Sequence, residues 1–339
     1  MTSTSDKQTF PFAGLVNLAQ PRLGARVIFA NDEFFGARER LIDPAPPVFI
    51  PDKYDDHGKW MDGWETRRRR EPGHDHCVIR FGAPGIVKGF DVDTSHFTGN
   101  YAPEVSIEAC TSHERQPADD AEWREVLGRT PLTGNAHHYL DAAPSPPCTH
   151  LRVHIYPDGG IARLRVYGAV QPDWEALAAG GTFDLLALEN GGRALACSDE
   201  HFGSMRNLNA SGRGLNMGDG WETARRRGPG HDWVILALGR PGVIDAVEID
   251  TAHFKGNYPD RAAIQAARTG EQDIARLVAD SEAWPLLLPE SKLQADRQHV
   301  FKRELAALGP VSHVRLNIFP DGGVSRLRVF GHLAQEDGA

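Results

Sequence analysis

The sequence predicts an all-β protein built from two homologous antiparallel β-sandwich domains in tandem. Three observations lead to this prediction: a long motif occurs twice, further shared motifs accompany it in the same order, and the segments around them are short apolar or alternating runs bounded by glycine and proline. Runs of that length and composition are typical of strands. Many short strands with regular turn signals favour a sandwich.

The clearest of these observations is the duplication. The segment DGWETRRRREPGHD, which begins at Asp62, returns as DGWETARRRGPGHD at Asp219 with 12 of 14 positions identical. DTSHFTGNY at Asp93 returns as DTAHFKGNY at Asp250 with 7 of 9 positions identical, after the same shift of 157 residues. Repeats usually survive as hydrophobic pattern, so identity at polar positions indicates chemistry or a demanding polar scaffold.

A third shared motif closes each copy. HLRVHIYPDGGIARLRVYG at His150 and HVRLNIFPDGGVSRLRVFG at His313 share 12 of 19 positions. A period of about 160 residues is too long for a solenoid repeat and matches a whole domain. We therefore expect a first domain over residues 12–170, a linker over residues 171–181 and a second domain over residues 182–332.

Individual elements can be placed within each copy. CVIRF and IVKGFDVDT in the first copy, and WVILAL and VIDAVEIDT in the second, have strand composition, with turns expected at residues 82–85 and 239–242. Alternation over residues 151–155 and 164–167, on either side of PDGG, predicts a hairpin-like pair of strands. Helical pattern is scarce and is confined to residues 119–127, 174–179 and 262–280.

Composition narrows the class of protein. The 339 residues are 40% hydrophobic and 24% charged, as in globular proteins. The net charge of −9 argues against a nucleic-acid partner, because the phosphate backbone binds basic protein surfaces. No apolar run is long enough to span a bilayer, and the start, MTSTSDKQ, does not resemble a signal peptide. The four cysteines align with small apolar residues of the other copy, as reduced thiols do. We expect a cytoplasmic protein with no nucleic-acid partner and no membrane association.

The long motif repeats residues that can carry chemistry. Arginine binds a carboxylate in a bidentate manner, while histidine or glutamate serves as acid or base near neutral pH. The alternative is a buried ion-pair network that holds a loop, with the tryptophan in the core. The candidates are Glu65, Arg68, Arg69 and His74 in the first copy and Glu222, Arg225, Arg226 and His231 in the second.

A second polar set follows a predicted strand in each copy. Its position predicts a loop at the end of the sheet, where sites on sandwiches are common. An aspartate and a histidine form a weak metal signal, because their spacing does not resemble a closed zinc site. The alternative is that these side chains cap backbone groups of the loop. The residues are Asp93, His96 and Asn100 in the first copy and Asp250, His253 and Asn257 in the second.

The copies also differ inside and beside these motifs. We expect from this asymmetry that one copy kept the chemistry and the other became scaffold, with either assignment open. The positions are Arg67, Glu71, His76, Ser95, Thr98 and His154, which stand opposite Ala224, Gly228, Trp233, Ala252, Lys255 and Asn317.

Together, the three paired motifs resemble the allantoicase family, over a stretch from Phe12 to Gly331. The resemblance implies that each half is a jelly-roll sandwich of the galactose-binding-like type. It implies a hydrolase that converts allantoate to (S)-ureidoglycolate and urea in purine and allantoin degradation. It also implies a homo-oligomer, trimer or hexamer, and leaves a possible divalent metal ion open. The second copy lacks counterparts of Arg67 and Glu71, which argues against two equivalent sites in the chain.

The implied reaction sets chemical requirements. The bond that breaks joins the central carbon of allantoate to a ureido nitrogen, so the step needs an acid for the departing urea and a base for the attacking water. We expect His74 or His231 as acid or base, with Glu65 or Glu222 as its carboxylate partner. One of the four candidate arginines would bind the substrate carboxylate, and the second polar set would hold the ureido amides.

A rival interpretation is a non-catalytic pair of sandwiches that binds a sugar or another small ligand. Sugar sites need exposed aromatic platforms, for which Trp64, Trp221, Tyr101 and Tyr258 are candidates. Binding modules are usually appended to another domain, and we expect no further domain in this chain. The enzyme interpretation is therefore preferred.

Overall fold

The computed structural model describes residues 11–12 and 14–334, so the segment MTSTSDKQ lies outside the described residues. The chain separates into two compact units between Gln171 and Pro172. Both units are rich in strands, which confirms the predicted all-β class. The bounds of the predicted domains and linker stay a prediction.

The first unit contains twelve strands among its described residues. They are β1 (Val16–Asn17), β2 (Arg26–Ala30), β3 (Tyr54–Asp55), β4 (Gly58–Lys59), β5 (Trp64–Glu65), β6 (Asp75–Asp93), β7 (Glu104–Cys110), β8 (Arg124–Pro131), β9 (His137–Asp141), β10 (Cys148–Tyr156), β11 (Gly160–Ile161) and β12 (Arg163–Val170). Two short 3₁₀ helices cover Pro21–Leu23 and Arg38–Ile42.

The described part of the second unit contains ten strands and two α-helices. They are α1 (Trp174–Ala179), β13 (Phe183–Asp184), β14 (Arg193–Cys197), β15 (Trp221–Glu222), β16 (Asp232–Asp250), β17 (Arg261–Ala267), α2 (Ile274–Ser281), β18 (Leu286–Lys292), β19 (Gln298–Phe301), β20 (Val311–Phe319), β21 (Gly323–Val324) and β22 (Arg326–Leu333). Three 3₁₀ helices cover Leu188–Asn190, Met205–Asn207 and Met217–Asp219.

A strand of 19 residues organises the first unit. The first half of β6 pairs with β2 and β10, and its second half pairs with β9 and β12. A strand that changes sheets at a bend joins two layers. One layer therefore has the order β2-β6-β10-β7-β8 and the other the order β9-β6-β12-β1. The second unit repeats this arrangement around β16.

The turns predicted at residues 82–85 and 239–242 are wrong. The chain continues as one strand through both segments, which form the bends of β6 and β16. A Cβ atom at Gly82 would collide with the carbonyl oxygen of Leu23, and one at Gly239 with that of Asn190. These glycines let neighbouring backbone approach the bend closely.

The hairpin predicted around PDGG is also wrong. Both strands form, but β10 and β12 each pair with β6 rather than with each other. The PDGG segment carries the chain from one layer to the other, and β11 pairs with β5 on the way. The corresponding strands β20 and β22 each pair with β16.

One of the three predicted helices is confirmed. Residues 174–179 form α1, where the side chain of Asp173 accepts a hydrogen bond from the Ala176 amide. Residues 124–131 form strand β8 instead of a helix, and of residues 262–280 only Ile274–Ser281 is helical. Pairing of β8 with β7 and of β17 with β20 overrides local helical preference.

The core of each unit lies between its two layers. In the first unit Ile79 and Val153 of the larger layer and Phe90 and Leu164 of the smaller layer are buried. In the second unit, Val234, Leu236, Val247 and Leu327 belong to one cluster of buried residues. A core enclosed by two sheets confirms the predicted sandwich in each copy. No helix in the described residues is long and apolar enough to cross a membrane.

Candidate active site

Much of the repeated long motif is scaffold. Asp62 Oδ2 accepts a hydrogen bond of 2.8 Å from Arg163 Nη2, and Asp219 Oδ2 accepts one of 2.9 Å from Arg326 Nη2. Both arginines are buried at the start of the last strand of their unit. These pairs fasten the start of the motif to β12 and β22, as the ion-pair interpretation expects.

The tryptophans of the motif are scaffold as well. Trp64 and Trp221 are fully buried, and their indole N–H groups donate to the carbonyl oxygens of Asp32 at 2.9 Å and Asp199 at 2.8 Å. A buried ring cannot act as a sugar platform, so that expectation for the two tryptophans is wrong.

The candidate arginines divide into engaged and free side chains. Arg69 Nη1 donates to Asp75 Oδ1 at 2.6 Å, and Arg226 pairs with Asp232 in the same way. Asp75 is buried, so Arg69 neutralises a charge that water does not reach. The structure thus gives the two neighbouring arginines of each copy different tasks. Arg68 and Arg225 are exposed, and neither forms an ion pair within the described part of the chain.

A cavity of about 570 Å³ opens beside Arg68 in the first unit. This volume lies within the range of small-molecule sites. The wall is formed by the long motif, by the end of the second motif and by the PDGG segment. The polar lining residues include Glu65, Arg68, Arg69, Asn100, Tyr101 and Asp158.

Glu65 is the acid–base candidate at the cavity wall. In the short strand β5, alternation directs Trp64 into the core and Glu65 to the opposite side. Glu65 is 8% exposed, and its Oε1 accepts a hydrogen bond of 2.7 Å from Asn100 Nδ2. Burial raises the pKa of Glu65; the Asn100 bond opposes the rise and the charge of Asp55 adds to it. A raised pKa increases the fraction of a carboxyl group that is protonated at a given pH, which favours a role as proton donor.

The second unit repeats this contact in a more open setting. Glu222 Oε1 accepts a hydrogen bond from Asn257 Nδ2. Glu222 is half-buried, whereas Glu65 is buried. The hairpin β3–β4, which carries Asp55, belongs to the longer loop that precedes the motif in the first copy.

His74 has a different partner from the expected one. No hydrogen bond joins His74 to Glu65 among the described residues; instead His74 Nε2 lies 2.8 Å from His154 Nδ1, and His154 Nε2 lies 2.9 Å from Glu108 Oε2. The His74 ring packs on Tyr156 with centroids 4.5 Å apart, next to Pro157 of the cavity wall. Burial, together with His154 and Arg69, lowers the pKa of His74.

The second histidine likewise turns away from its predicted carboxylate. His231 Nε2 lies 3.1 Å from Asn317 Oδ1, while Glu222 binds Asn257. The predicted pairing of histidine with glutamate is therefore absent from both units as described. The reason is topological: the motif's histidine precedes β6 or β16 directly and meets the neighbouring strand β10 or β20.

Sequence reasoning missed Glu108 as a possible functional residue and named His154 only as a position that differs between the copies. The signal for His154 was its replacement by Asn317 in the second copy. Glu108 has Gln265 at the corresponding position, but nothing in the sequence shows that strands β7 and β10 are neighbours.

Within the second polar set, only the asparagine reaches the cavity. Asp93 Oδ1 accepts from the Ser95 amide at 2.7 Å, and His96 Nε2 lies 3.2 Å from the carbonyl oxygen of Pro47. Asn100, by contrast, lines the cavity. The aspartate and histidine thus act as loop caps.

The second unit shows the same division. Asp250 Oδ1 accepts from the Ala252 amide at 2.9 Å, and His253 Nε2 lies 2.8 Å from the carbonyl oxygen of Gly214. Asn257 is the member that binds a glutamate.

The donor set does not fit a resident metal ion. The imidazoles of His96 and His253 face backbone carbonyl groups, and Asp93 and Asp250 accept backbone amides. Across residues 11–12 and 14–334, no three His, Cys, Asp or Glu side chains are grouped to hold a metal.

The fold and the cavity define a duplicated β-sandwich protein with a small-molecule site that contains an acid–base carboxyl group and a free guanidinium. The allantoicase repeat family model matches residues 16–171 and 183–334. The chain belongs to the allantoicase family.

Individual relatives agree over nearly the full length. The chain is 60% identical over 319 residues to probable allantoicase 2 of Burkholderia pseudomallei, covering 94% of this chain and 95% of the relative. It is 56% identical over 321 residues to a probable allantoicase of Pseudomonas aeruginosa, covering 95% and 97%. The crystal structure of allantoicase from Saccharomyces cerevisiae has a TM-score of 0.78 at 38% identity, covering 94% and 93% of the two chains.

Proposed function

We propose that this chain is an allantoicase that hydrolyses allantoate to (S)-ureidoglycolate and urea in purine degradation. The observation that carries the proposal is 60% identity to a probable allantoicase across 94% of the chain. The polar cavity beside Glu65 and Arg68 supports it, because the substrate is a small anion with amide groups.

Arg68 is the proposed clamp for the substrate carboxylate. Its guanidinium lines the cavity without an ion-pair partner in the described structure, whereas Arg69 is held by Asp75. Arginine offers a planar fork of donors that matches a carboxylate. Arg225 is the equivalent free side chain of the second unit.

Glu65 is the proposed acid for the departing urea. The bond between the central carbon and the ureido nitrogen breaks, the proton of Glu65 goes to that nitrogen, and the lone pair of the remaining ureido nitrogen stabilises the carbon. A water molecule then adds to the carbon and releases a proton. Asn100 fixes the carboxyl group through Oε1, which leaves Oε2 as the atom assigned to the transfer.

His74 is retained as the group that accepts the proton from water, and His231 holds the equivalent position in the second unit. The support is its position behind the cavity wall, against Tyr156 and next to Asp75, the partner of Arg69. Asn100 is retained as a polar contact at the site, and Asn257 holds the same place beside Glu222 in the second unit. Asp93, His96, Asp250 and His253 are not retained as substrate ligands, because they cap loops.

A cytoplasmic homo-oligomer, trimer or hexamer, is part of the proposal. The support is a group of exposed apolar side chains on the loop that precedes the motif in the first unit. Exposed apolar groups of this kind mark protein interfaces. They are Phe34, Val48, Phe49, Ile50 and Tyr54, with exposures from 42% to 68%. Light scattering on the purified protein measures the oligomeric state.

The decisive experiment is incubation of the purified protein with allantoate, with and without a chelator, followed by assays of urea and ureidoglycolate. We expect both products in both conditions. Glu65→Gln should lower turnover by about 10²- to 10⁴-fold, the usual contribution of a positioned acid. Glu222→Gln is the matched control. A folded protein that binds allantoate and releases no urea would support the ligand-binding alternative instead.

A further inference from the structure

A chain of hydrogen bonds leads away from His74 on the outer face of the larger layer in the first unit. It runs from His74 Nε2 to His154 Nδ1 at 2.8 Å and from His154 Nε2 to Glu108 Oε2 at 2.9 Å. Arg152 Nε donates to the same oxygen of Glu108 at 2.8 Å. All of its members are ionisable.

The direction of these bonds follows from the carboxylate at the end. Although burial opposes it, the hydrogen bonds from His154 and Arg152 lower the pKa of Glu108, so Glu108 is an acceptor. His154 therefore donates through Nε2–H and accepts through Nδ1, and His74 donates through its own Nε2–H. The lone pair of His74 Nδ1 remains to accept a proton.

In the second unit, amide side chains take the places of His154 and Glu108. His231 Nε2 donates to Asn317 Oδ1, which also accepts from Arg315 Nε at 3.0 Å, and Asn317 Nδ2 donates to Gln265 Oε1 at 3.0 Å. The histidine tautomer is the same as in the first unit. Neither amide can gain or lose a proton near neutral pH, and neither carries a compensating charge.

The two units also differ in what covers the outer face of the larger layer. In the second unit α2 lies over the path, where Ser281 Oγ accepts from Arg315 Nη1 at 2.6 Å and Trp284 joins an apolar cluster with Ile235 and Leu277. The corresponding segment of the first unit, residues 117–123, forms no helix. The hydrogen-bond chain of ionisable groups thus lies in the unit that has no helix over this face.

We propose that His154 and Glu108 are positioning residues that allow His74 to take up a proton during hydrolysis, and that the first repeat performs the proton transfer. When His74 gains a proton at Nδ1, its positive charge is balanced through His154 by Glu108, whereas His231 has only amides behind it. This inference rests on the proposed function. It assigns proton transfer to the first repeat, whereas the duplicated sequence leaves open which copy is active.

Other charged groups around the chain set its pH range. Arg69, Asp75 and Arg129 act on His74, while His154, Arg152 and Asp119 act on the neighbouring His76. Removal of the negative charge of Glu108 from the end of the chain leaves the protonated form of His74 less well balanced, so it lowers the pKa of His74 further.

The test gives the hydrogen-bond chain of the first unit the side chains found in the second unit. The double variant His154→Asn, Glu108→Gln carries the side chains that the second unit already folds with. We expect its kcat to fall by at least about tenfold, as for a lost proton-transfer group, with KM within about twofold. The single variant Glu108→Gln should shift the histidine limb of the pH–rate profile to lower pH, and the NMR titration of His74 should move in the same direction.

The matched control is the reverse exchange, Asn317→His with Gln265→Glu, which should leave kcat and the pH profile unchanged. Wild-type kcat and an unmoved pH profile in the double variant would overturn the inference while urea formation by the wild type upheld the function. Absence of urea from the wild type would overturn both. An unshifted His74 titration in Glu108→Gln would overturn the role of Glu108 independently of activity.

Discussion

Asn100 Nδ2 donates a hydrogen bond of 2.7 Å to Glu65 Oε1, which joins the end of the second motif to the centre of the first. The contact is repeated between Asn257 and Glu222 in the second unit. It holds a buried carboxyl group in one orientation at the cavity wall. Burial raises the pKa of that group, and the Asn100 bond opposes the rise.

Replacement of Asn100 by alanine should move a limb of the pH–rate profile. The Asn100 bond lowers the pKa of Glu65 against the effect of burial, so its loss raises that pKa further. Whether the rate needs the protonated or the ionised form, the limb set by Glu65 shifts to higher pH. The measurement is kcat/KM against pH, with Asn257→Ala as control. A limb that stays in place would contradict the assignment of Glu65.

Replacement of Arg68 by glutamine should weaken substrate binding. A charged hydrogen-bonded pair contributes about 1.5–3 kcal/mol, so KM should rise by roughly ten- to hundredfold while kcat changes little. Steady-state kinetics with allantoate measure this. The control is Arg67→Ala, because the Arg67 side chain is 63% exposed and pairs with Asp32. An equal effect of both variants would show that Arg68 is not the clamp.

Replacement of Arg163 by methionine should destabilise the first unit. The Arg163 side chain is 2% exposed, and its removal leaves the carboxylate of Asp62 without its ion-pair partner. Loss of one partner from a buried ion pair costs about 3–5 kcal/mol. Urea unfolding measures the change in free energy, and exposed Arg67→Ala should cost less than about 1 kcal/mol. A loss below that value in Arg163→Met would contradict the scaffold role.

Asp184 offers a test of stability against pH. Burial raises the pKa of Asp184 to about 6 from an ordinary value of 3.8. Because the folded state holds the proton more tightly, this carboxyl group costs stability that is absent below pH 3.8 and fully developed above about pH 6. Asp184→Asn should therefore stabilise the protein by about 1–3 kcal/mol at pH 7 and have little effect near pH 4.

The first unit supports that substitution. Asn17 occupies the equivalent place and accepts from the amides of Val166 at 3.0 Å and Ala19 at 3.2 Å, as Asp184 accepts from Val329 and Leu186. Thermal unfolding at several pH values measures the difference. A stabilisation that is the same at pH 4 and pH 7 would show that the charge of Asp184 is not its cause.

The sequence by itself determined the duplication, the sandwich class and the family, because polar identities recur in order and strand-length runs separate them. It also placed Glu65, Arg68 and Asn100 among the candidates. Repetition alone could not separate these from Asp62 or Trp64, since scaffold and site residues recur equally in both copies.

Only the tertiary structure decided which polar residues share a cavity and which hold the scaffold. Asp62 and Arg163 are 101 residues apart, and Glu108 and His154 meet only because β7 and β10 are neighbours. Where the sequence predicted a turn at residues 82–85, the chain instead bends within the long strand β6, which belongs to both layers. Such contacts depend on strand order and on close backbone approach, and neither leaves a periodic signal in the local sequence.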